Sequence, residues 1–379
     1  MRNKRLDILR CIAILLVLFY HARFLYFFSR VGWVGVDLFF VLSGFLISGL
    51  LFGEYQKRGS IRVQRFFIRR ALKIYPAFYA LLAFTACMEY FRHHFSPGAE
   101  YLHEAFFVQS YWRGIWIQTW SLAVEEHFYI LLPFFLLALI RFSSNRADPY
   151  RAIPKAFLIV ALLCQASRAS SAFTSPPDFD RVYYASHNRL DTLFFGVLIG
   201  YFYHFRREML DRFMWPVWIR VSMAMVSAAF LSCAYFFYHN SQFFGAIGYA
   251  LTYLGCGGVL LLSLYVHDVL PRPLRTFIKP IGTAAAGVGK YSYSIYLWFG
   301  PVGAYLLGLF PGLFHVSLGP YENFTLFIVE CLLVGIVMSV AIEYPILRVR
   351  NRLFPSPNDN ALTSPENVPE PQAPSVQPL

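Results

Sequence analysis

The sequence predicts an all-α integral membrane protein, a bundle of about ten transmembrane helices with the N- and C-termini cytoplasmic. Three observations predict this class. Hydrophobic residues make up 57% of the 379 residues and charged residues only 14%, whereas roughly a quarter of a water-soluble chain is charged. The apolar residues collect in runs long enough to cross a bilayer. The basic residues divide unequally between the connections of those runs.

The apolar runs set the number of predicted spans. A helix needs about 20 apolar residues to cross roughly 30 Å of hydrocarbon, and ten segments approach or exceed that length. Among them, the fifth is interrupted by Gln165, Ser167 and Arg168, and the sixth is short. The predicted spans are Ile8–Phe28, Trp33–Phe52, Leu72–Phe91, Ser121–Ile140, Ala156–Phe173, Leu190–Phe205, Trp215–Tyr238, Gly245–Val266, Tyr291–Phe310 and Phe324–Ile342.

The distribution of Lys and Arg predicts the orientation, because these residues collect on the cytoplasmic side of membrane proteins. With the N-terminus inside, 26 of the 33 fall on the inner side. The other seven are Arg23, Arg30, Arg92, Arg113, Arg168, Arg181 and Arg189. This asymmetry predicts ten spans with both ends inside. The net charge of +12 is then a consequence of topology and indicates no nucleic-acid partner.

Two regions differ in kind. Residues 1–354 are predicted to form one ten-span transmembrane domain, whose first span is retained because no Ala-x-Ala cleavage pattern follows it. From Pro355 onward the chain has seven prolines and no basic residue, which predicts a disordered cytoplasmic tail over 355–379. The six cysteines are isolated and lack metal-ligand spacing. They are predicted to be packing residues, with no metal site.

The first span carries two ionisable residues, Arg10 and His21. Their separation of eleven residues is three helical turns plus about 20°, so they share one face about 16 Å apart. Ionisable groups inside hydrocarbon are functional by default. The alternative is that Arg10 extends to the interface and His21 only bonds a neighbouring helix.

Other ionisable residues lie near the outer ends of their spans, at a depth similar to that of His21. They are Asp37, Glu125, Glu126, Arg189 and Asp191. A carboxylate beside a neutral imidazole orients the ring and makes it a suitable general base for a hydroxyl group. The alternative is that these residues form mutual salt bridges that hold the bundle together.

The connection between the second and third predicted spans is the most basic in the chain. It contains Lys57, Arg58, Arg62, Arg65, Arg69, Arg70 and Lys73. Each residue alone is explained by the positive-inside rule, but seven in a short connection also predict a phosphate site. A polyanionic cytoplasmic donor would suit such a site.

Several motifs resemble those of the acyltransferase family 3 membrane O-acyltransferases, in the family's order and over roughly residues 5 to 350. In the first span the motif is Arg10-x10-His21. The others are Gly35–Ile47 with Asp37, Arg69–Pro76, Trp120–Tyr129 with Glu125, Arg189-Leu-Asp191 with Gly196, Tyr291–Trp298 and Glu343–Pro345. The resemblance implies transfer of an acyl group, often acetyl, from acyl-coenzyme A to a hydroxyl, frequently on a bacterial surface carbohydrate.

Residue roles follow from the resemblance. It implies His21 as the catalytic residue with Arg10 as its partner, Glu125 at the active centre, and Arg69, Arg70 and Lys73 at the donor. Asp37, Arg189 and Asp191 are then expected on the acceptor side. Acyl-coenzyme A, acetyl-coenzyme A in particular, is expected as a co-substrate, with no permanently bound cofactor. The expected location is the inner (plasma) membrane, in direct contact with lipid.

The sequence departs from the family pattern at three positions. Lys73 stands where arginine is usual, which keeps the charge but loses bidentate geometry. His127 replaces a common glutamine, and Phe299 stands where a histidine often follows Trp298. If that histidine helps to bind the acceptor, this chain has an unusual acceptor. The length also predicts that no extracytoplasmic esterase-like domain is attached.

Two other functions fit the same polar pattern. A transporter of a small polar or acylated solute also needs polar residues along a bundle, but it predicts paired broken helices in two repeated halves. An acyltransferase that acts on a small diffusible molecule, such as an antibiotic or a lipid, differs only in its acceptor. The sequence does not separate this last possibility from carbohydrate modification.

Overall fold

The computed structural model describes residues 3–174, 177–265, 272–307, 312 and 317–355, and every regular element within these ranges is helical. The predicted all-α class is therefore confirmed for the described residues. Apart from Pro355, the predicted tail lies outside them. The α-helices are α1 (Lys4–Ala22), α2 (Tyr26–Val31), α3 (Val34–Arg58), α4 (Val63–Arg92), α5 (Gly98–Ala105), α6 (Trp120–Phe142), α7 (Ile153–Ala172), α8 (Phe179–Tyr184), α9 (Leu190–Phe205), α10 (Arg207–Met214), α11 (Val217–Phe236), α12 (Tyr249–Tyr265), α13 (Arg272–Lys290), α14 (Ser292–Pro301), α15 (Pro320–Met338) and α16 (Tyr344–Leu353).

Seven helices within the described residues are long and apolar enough to cross a membrane, which makes the chain a multi-pass membrane protein. They match the predicted spans two to five, seven, eight and ten. The sixth prediction coincides with α9, a shorter apolar helix. The count of ten and the orientation of the termini stay predictions. The seven are Val34–Arg58, Val63–Arg92, Ile117–Phe142, Ile153–Ala172, Val217–Phe236, Phe244–Tyr265 and Pro320–Leu353.

The first predicted span ends earlier than expected. Helix α1 stops at Ala22, six residues before the predicted end at Phe28. Arg23 follows with a φ of 51°, in the left-handed region that terminates helices. The short helix α2 then begins at Tyr26. The apolar run continues past the helix end, so hydropathy alone placed the boundary too far along the chain.

The basic stretch predicted as an inner connection is mostly helical, so the prediction of a connection over this whole stretch was wrong. Helix α3 continues to Arg58, and α4 begins at Val63. Residues 59–62 are the only link, and Gly59 takes a φ of 69° there. Positions 65, 69 and 73 are four residues apart and fall on one face of α4. That spacing was the signal for a helical face.

Helix α13 was not predicted, because its basic residues had been assigned to an inner connection. It packs along α1 at Gly289, where an added Cβ would lie only 1.7 Å from the backbone oxygen of Asp7. The close approach of these two backbones needs a residue without a side chain. Helix α13 therefore supports the same end of α1 that carries Arg10.

Helices α3 and α9 cross closely near the centre of the bundle. A Cβ added to Gly44 would lie 1.9 Å from the Leu193 oxygen, and one added to Gly196 would lie 2.2 Å from the Val41 oxygen. Small residues on both helices let the backbones meet, as is common where helices pack in membranes. Helix α3 thereby becomes the central wall between α9 on one side and the cavity described next on the other.

Candidate active site

A cavity of about 530 Å³ lies between α1, α3, α4, α6, α14 and α16. Its size is typical of a small-molecule or cofactor site. One part of its lining is strongly basic, and we call these residues the basic cluster. The basic cluster consists of Arg10, Lys57, Arg65, Arg69, Arg70, Lys73 and Arg350. The rest of the lining is largely apolar, with a few hydroxyl groups and the carboxylates of Glu54 and Glu125.

Arg70 and Glu125 meet at the wall of the cavity. The Arg70 Nη2 atom lies 3.9 Å from Glu125 Oε2, and the guanidinium lies 3.9 Å from the centre of the Tyr129 ring. The Tyr129 hydroxyl donates to Glu125 Oε2 over 2.6 Å and is itself bonded to the Ser43 hydroxyl. Arg70 Nε is buried with no hydrogen-bond partner among the described residues. Arg70 is thus fixed in place with one donor still unsatisfied, as expected of an anion-binding residue.

The C-terminal helix closes the basic part of the cavity. Arg69 donates from Nη1 to the backbone oxygen of Phe354, directly after α16. Arg350, on α16, lines the cavity together with Lys73. The positive-inside pattern accounts for Arg350 only as a marker of topology, so its place in the basic cluster was not predicted. The run of Arg348, Arg350 and Arg352 directly after the Glu343–Pro345 motif is the sequence feature that could have indicated this role.

Glu343 owes its position to a local change of helix type. Residues Ser339–Glu343 form a π turn between α15 and α16, and π turns inside helices are frequent at functional sites. The Ser294 hydroxyl, on α14, donates to Glu343 Oε1. This bond joins the Tyr291–Trp298 and Glu343–Pro345 motifs beside the cavity.

A second group of hydroxyls lines the cavity away from the basic cluster. The hydroxyl oxygens of Ser121 and Tyr296 lie 2.7 Å apart, and the Tyr296 hydroxyl also donates to the backbone oxygen of Gln118 over 2.8 Å. Phe39 and Phe40 complete this end of the lining. Ser121, Tyr129 and Tyr296 lie within the motifs that carry the family resemblance, but only the ionisable residues of those motifs were predicted at the site.

His21 lies outside the cavity lining. Its exposed side chain is at the end of α1, with its ring centre 4.6 Å from that of Phe299. The Phe299 ring lies 5.8 Å from that of Tyr296, which lines the cavity. Among the described residues, no carboxylate bonds His21, whereas Glu125 accepts from the Tyr129 hydroxyl and forms an ion pair with Arg70. The structure therefore brings Arg10 and Glu125 to the cavity and leaves His21 outside it, where Phe299 contacts both His21 and the lining residue Tyr296.

Arg10 lies on the same helix as His21, at the opposite end. Its Nη1 atom is 2.8 Å from Asp7 Oδ1, one turn earlier in α1. Asp7 is buried, and Arg10 lines the cavity. Since α1 carries Arg10 at the basic cluster and His21 beyond the hydroxyl end, the helix spans the length of the candidate site.

Asp37, Arg189 and Asp191 form buried ion pairs behind the cavity wall. Arg189 Nη2 lies 2.5 Å from Asp37 Oδ1, and Arg168 Nη2 lies 2.7 Å from Asp191 Oδ2, with all four side chains fully buried. None of the four lines the cavity. These pairs match the second interpretation given above for the outer ionisable residues, in which mutual salt bridges hold the bundle together. An acceptor role for these residues stays a prediction, and Arg168 was missed as a partner.

A folded segment before α6 covers the hydroxyl end of the site. Glu104, on α5, is buried and accepts from the Trp116 backbone N–H over 3.0 Å and from the Thr119 hydroxyl over 2.8 Å. Burial raises the pKa of the Glu104 carboxyl to about 7. Through Thr119, this carboxyl fixes the start of α6 and so positions Ser121.

No metal site is apparent in the described part of the chain, where no group of three or more His, Cys, Asp or Glu residues has a suitable arrangement. All six cysteines are free. Two further polar residues singled out by the sequence have local partners. Glu126 accepts from the Tyr75 hydroxyl over 3.2 Å, and His127 Nδ1 lies 2.7 Å from the Ser186 hydroxyl.

A helical membrane bundle with a basic cavity that reaches a carboxylate and hydroxyls is the arrangement of a membrane acyltransferase. The chain matches the family described as an acyltransferase domain over residues 3–344 and belongs to that family, the acyltransferase family 3. It is 28% identical over 329 residues to the peptidoglycan O-acetyltransferase OatA of Listeria monocytogenes, covering 78% of this chain and 49% of that protein.

Two further comparisons agree. The chain is 27% identical over 328 residues to YrhL of Bacillus subtilis, to which peptidoglycan O-acetyltransferase activity is assigned provisionally, covering 78% of this chain and 48% of that protein. It is 28% identical over 313 residues to a provisionally assigned O-acetyltransferase of Staphylococcus aureus, covering 77% and 49%. The chain spans about half the length of these curated relatives. No solved structure matches it.

Proposed function

We propose that this chain is a membrane-embedded O-acyltransferase that moves an acetyl group from cytoplasmic acyl-coenzyme A to a hydroxyl of a cell-envelope carbohydrate. The observation that carries the proposal is the single cavity that joins the basic cluster to Glu125, Tyr129 and the Ser121–Tyr296 pair. A polyanionic donor with a long arm needs this combination of charge at one end and small hydroxyl groups at the other.

The donor end of the cavity suits the phosphates of coenzyme A. Arginine binds phosphate by charge-assisted hydrogen bonds, and lysine binds it as a point charge. Arg70 offers an unsatisfied Nε, and Lys73 follows one turn after Arg69 on the same face of α4. Apolar residues of α3, among them Leu46 and Leu50, line the cavity beyond the cluster and suit the pantetheine arm.

In the direct route, an acceptor oxygen attacks the thioester carbonyl carbon. The acceptor hydroxyl proton goes to a base, the carbon–sulfur bond breaks, and coenzyme A leaves with its electron pair on sulfur. In direct transfer, His21 is that base. In a relay, the His21 imidazole attacks the thioester carbon and expels coenzyme A with the electron pair on sulfur. The acceptor oxygen then attacks the acyl-imidazole, the carbon–nitrogen bond breaks, and the released imidazole takes up the acceptor proton.

The position of His21 bears on both routes. Phe299 contacts both His21 and Tyr296, and Tyr296 is part of the cavity lining. The thioester therefore has to reach past Tyr296, and the Phe299 ring has to move, for either route to operate. We propose that this movement accompanies donor binding, since side-chain rotamer changes at binding sites are common.

The acceptor and the location are proposed from the relatives and from charge. One relative is named as a peptidoglycan O-acetyltransferase, which supports a cell-wall carbohydrate as acceptor. The excess of Lys and Arg on one side of the predicted spans supports cytoplasmic termini in the plasma membrane. The donor then binds from the cytoplasm, and His21 faces the outer half of the bilayer where the acceptor arrives.

The test uses the purified protein in proteoliposomes with acetyl-labelled coenzyme A. We expect release of free coenzyme A and transfer of label to soluble peptidoglycan fragments, both reduced in Arg70→Ala. Label on an added small hydroxyl compound, but not on the fragments, assigns a diffusible acceptor. Label that crosses intact vesicles without release of coenzyme A assigns transport and overturns the proposal.

A further inference from the structure

A second, open cavity of about 540 Å³ adjoins the basic cluster, and we call it the terminal groove. It lies between the first turns of α4 and the end of α16. Its lining consists of Arg62, Val63, Gln64, Arg65, Ile68, Leu353, Phe354 and Pro355. Arg65 lines both cavities, so the terminal groove and the main cavity share one side chain of their walls.

The terminal groove has the chemistry of a phosphorylated nucleoside site. Arg62 is exposed and Arg65 half-buried, and neither makes a hydrogen bond or ion pair within the described residues. Two unpaired guanidinium groups on one wall attract a phosphomonoester. The facing wall carries Phe354, whose half-buried ring offers an apolar surface on which a base can stack.

The contact that forms the groove also joins it to the donor site. Arg69, a member of the basic cluster, donates to the backbone oxygen of Phe354, directly after α16. Arg350 on α16 lines the main cavity, while Leu353, three residues later, lines the terminal groove. The end of α16 therefore stands between the two cavities, with Arg65 bridging them.

We infer that the terminal groove binds the 3′-phosphorylated adenosine of the donor, with Arg62 and Arg65 on the 3′-phosphate and Phe354 on the adenine. This inference rests on the proposed function. Coenzyme A has an acyl-pantetheine arm, a diphosphate and a 3′-phosphorylated adenosine in that order. With the arm in the main cavity and the diphosphate at Arg69, Arg70 and Lys73, the nucleoside end reaches the neighbouring groove.

The test compares three donors: acetyl-coenzyme A, acetyl-3′-dephospho-coenzyme A and acetyl-pantetheine. We expect the unmodified protein to prefer the first over the second in kcat/KM by about ten-fold, the order of one charge-assisted bond at a partly exposed site. Arg62→Ala should remove most of this preference. Its activity with acetyl-pantetheine should stay unchanged, because that donor does not reach the groove.

Arg212→Ala is the matched control. Arg212 is an exposed arginine on α10 that lines neither cavity, and its loss should keep the ten-fold preference. Phe354→Ala should lower kcat/KM for both nucleotide donors and leave kcat/KM for acetyl-pantetheine unchanged. An equal loss with all three donors in Arg62→Ala overturns the inference, because it indicates a structural role.

A competition arm separates the donor nucleotide from a lipid headgroup. Adenosine 3′,5′-bisphosphate should inhibit competitively against acetyl-coenzyme A in the unmodified protein and about ten-fold less strongly in Arg62→Ala. Inhibition by phosphatidylglycerol but not by this nucleotide overturns the inference and assigns the groove to lipid. If no donor is consumed at all, the proposed function itself fails, whereas consumption without discrimination refutes only the groove assignment.

Discussion

Arg70 of α4 and Glu125 of α6 form an ion pair at the wall of the main cavity, with Nη2 3.9 Å from Oε2 and the guanidinium stacked on the Tyr129 ring. The family resemblance implies the first of these residues at the donor and the second at the active centre. Their contact brings the predicted donor site and the predicted active centre to one wall. The carboxylate holds the guanidinium in place, and the unsatisfied Nε of Arg70 remains for a ligand.

The first prediction concerns Arg70. Arg70→Ala should weaken binding of acetyl-coenzyme A by about 1–3 kcal/mol, the usual contribution of a charge-assisted hydrogen bond. Arg70→Lys should recover part of the loss, since it keeps the charge but not the fork of donors. Donor affinity is measured by titration of the purified variants. Unchanged affinity in a folded Arg69, Arg70 and Lys73 triple-alanine variant would reduce these residues to markers of topology.

The second prediction concerns His21. His21→Ala should leave the protein folded and inserted but lower transfer by about 10²–10⁴, the usual contribution of a general base. His21→Gln keeps hydrogen bonding without basicity and should be equally inactive. Full activity in His21→Gln would exclude both catalytic roles.

Rapid quench separates the two roles of His21. Labelled donor is mixed with protein in the absence of acceptor, and the reaction is stopped by denaturation. Protein-bound label that depends on His21 indicates an acyl relay. Its absence, together with normal transfer when acceptor is present, indicates direct transfer.

The third prediction concerns the buried pair of Asp37 and Arg189. Asp37→Ala leaves a buried guanidinium without its partner and should destabilise the protein by about 3–5 kcal/mol. Thermal unfolding in detergent gives the measurement. The control is Arg113→Ala, which breaks the ion pair that the exposed Arg113 side chain makes with Glu100 and should cost less than about 1 kcal/mol. Equal losses in the two variants would contradict a structural role for the buried pair.

The fourth prediction is a pH dependence that arises at Glu104. Burial raises the pKa of this carboxyl from its usual value near 4.5 to about 7. Between these values the folded state binds a proton that the unfolded state has lost, so stability falls as pH rises. The stabilisation that the protonated Glu104 carboxyl contributes is complete below about pH 4.5 and is lost as pH rises through about 7.

Glu104→Gln should remove this part of the pH dependence, because the amide accepts the same bonds without ionising. Melting temperature is compared between about pH 5 and about pH 8. Glu208→Gln, at an exposed position on α10, is the control and should follow the unmodified protein. The same slope in Glu104→Gln as in the unmodified protein would assign the pH dependence to another group.

The fifth prediction concerns topology. Reporter fusions at Ser143 should score inside, and fusions at Ser96 and Ser241 should score outside, because the basic residues collect on the predicted inner side. An outside score at Ser143 would contradict the ten-span arrangement. Because none of the seven described helices that are long and apolar enough to cross a membrane covers the first or the ninth predicted span, this experiment also tests the count.

Local physics explains which parts of the fold could be predicted from the sequence. The free energy of placing a residue in hydrocarbon depends mainly on that residue, so runs of apolar side chains mark spans without knowledge of their neighbours. Helix α9 begins and ends at the predicted residues, Leu190 and Phe205. The predicted end of α1 was wrong because the helix stops before Arg23, which takes a left-handed backbone conformation inside the apolar run. The predicted start of α4 was wrong because the helix begins at Val63 and includes a basic face that hydropathy does not mark.

The sequence by itself determined the membrane class, the family and the set of ionisable residues that carry the motifs. Only the tertiary structure decided their partners: Glu125 with Arg70, Asp37 with Arg189, and His21 with Phe299. A buried charge takes whichever opposite charge the helix packing brings within hydrogen-bond distance. That packing depends on contacts between residues far apart in the chain, such as Gly44 with Leu193, which no local pattern contains.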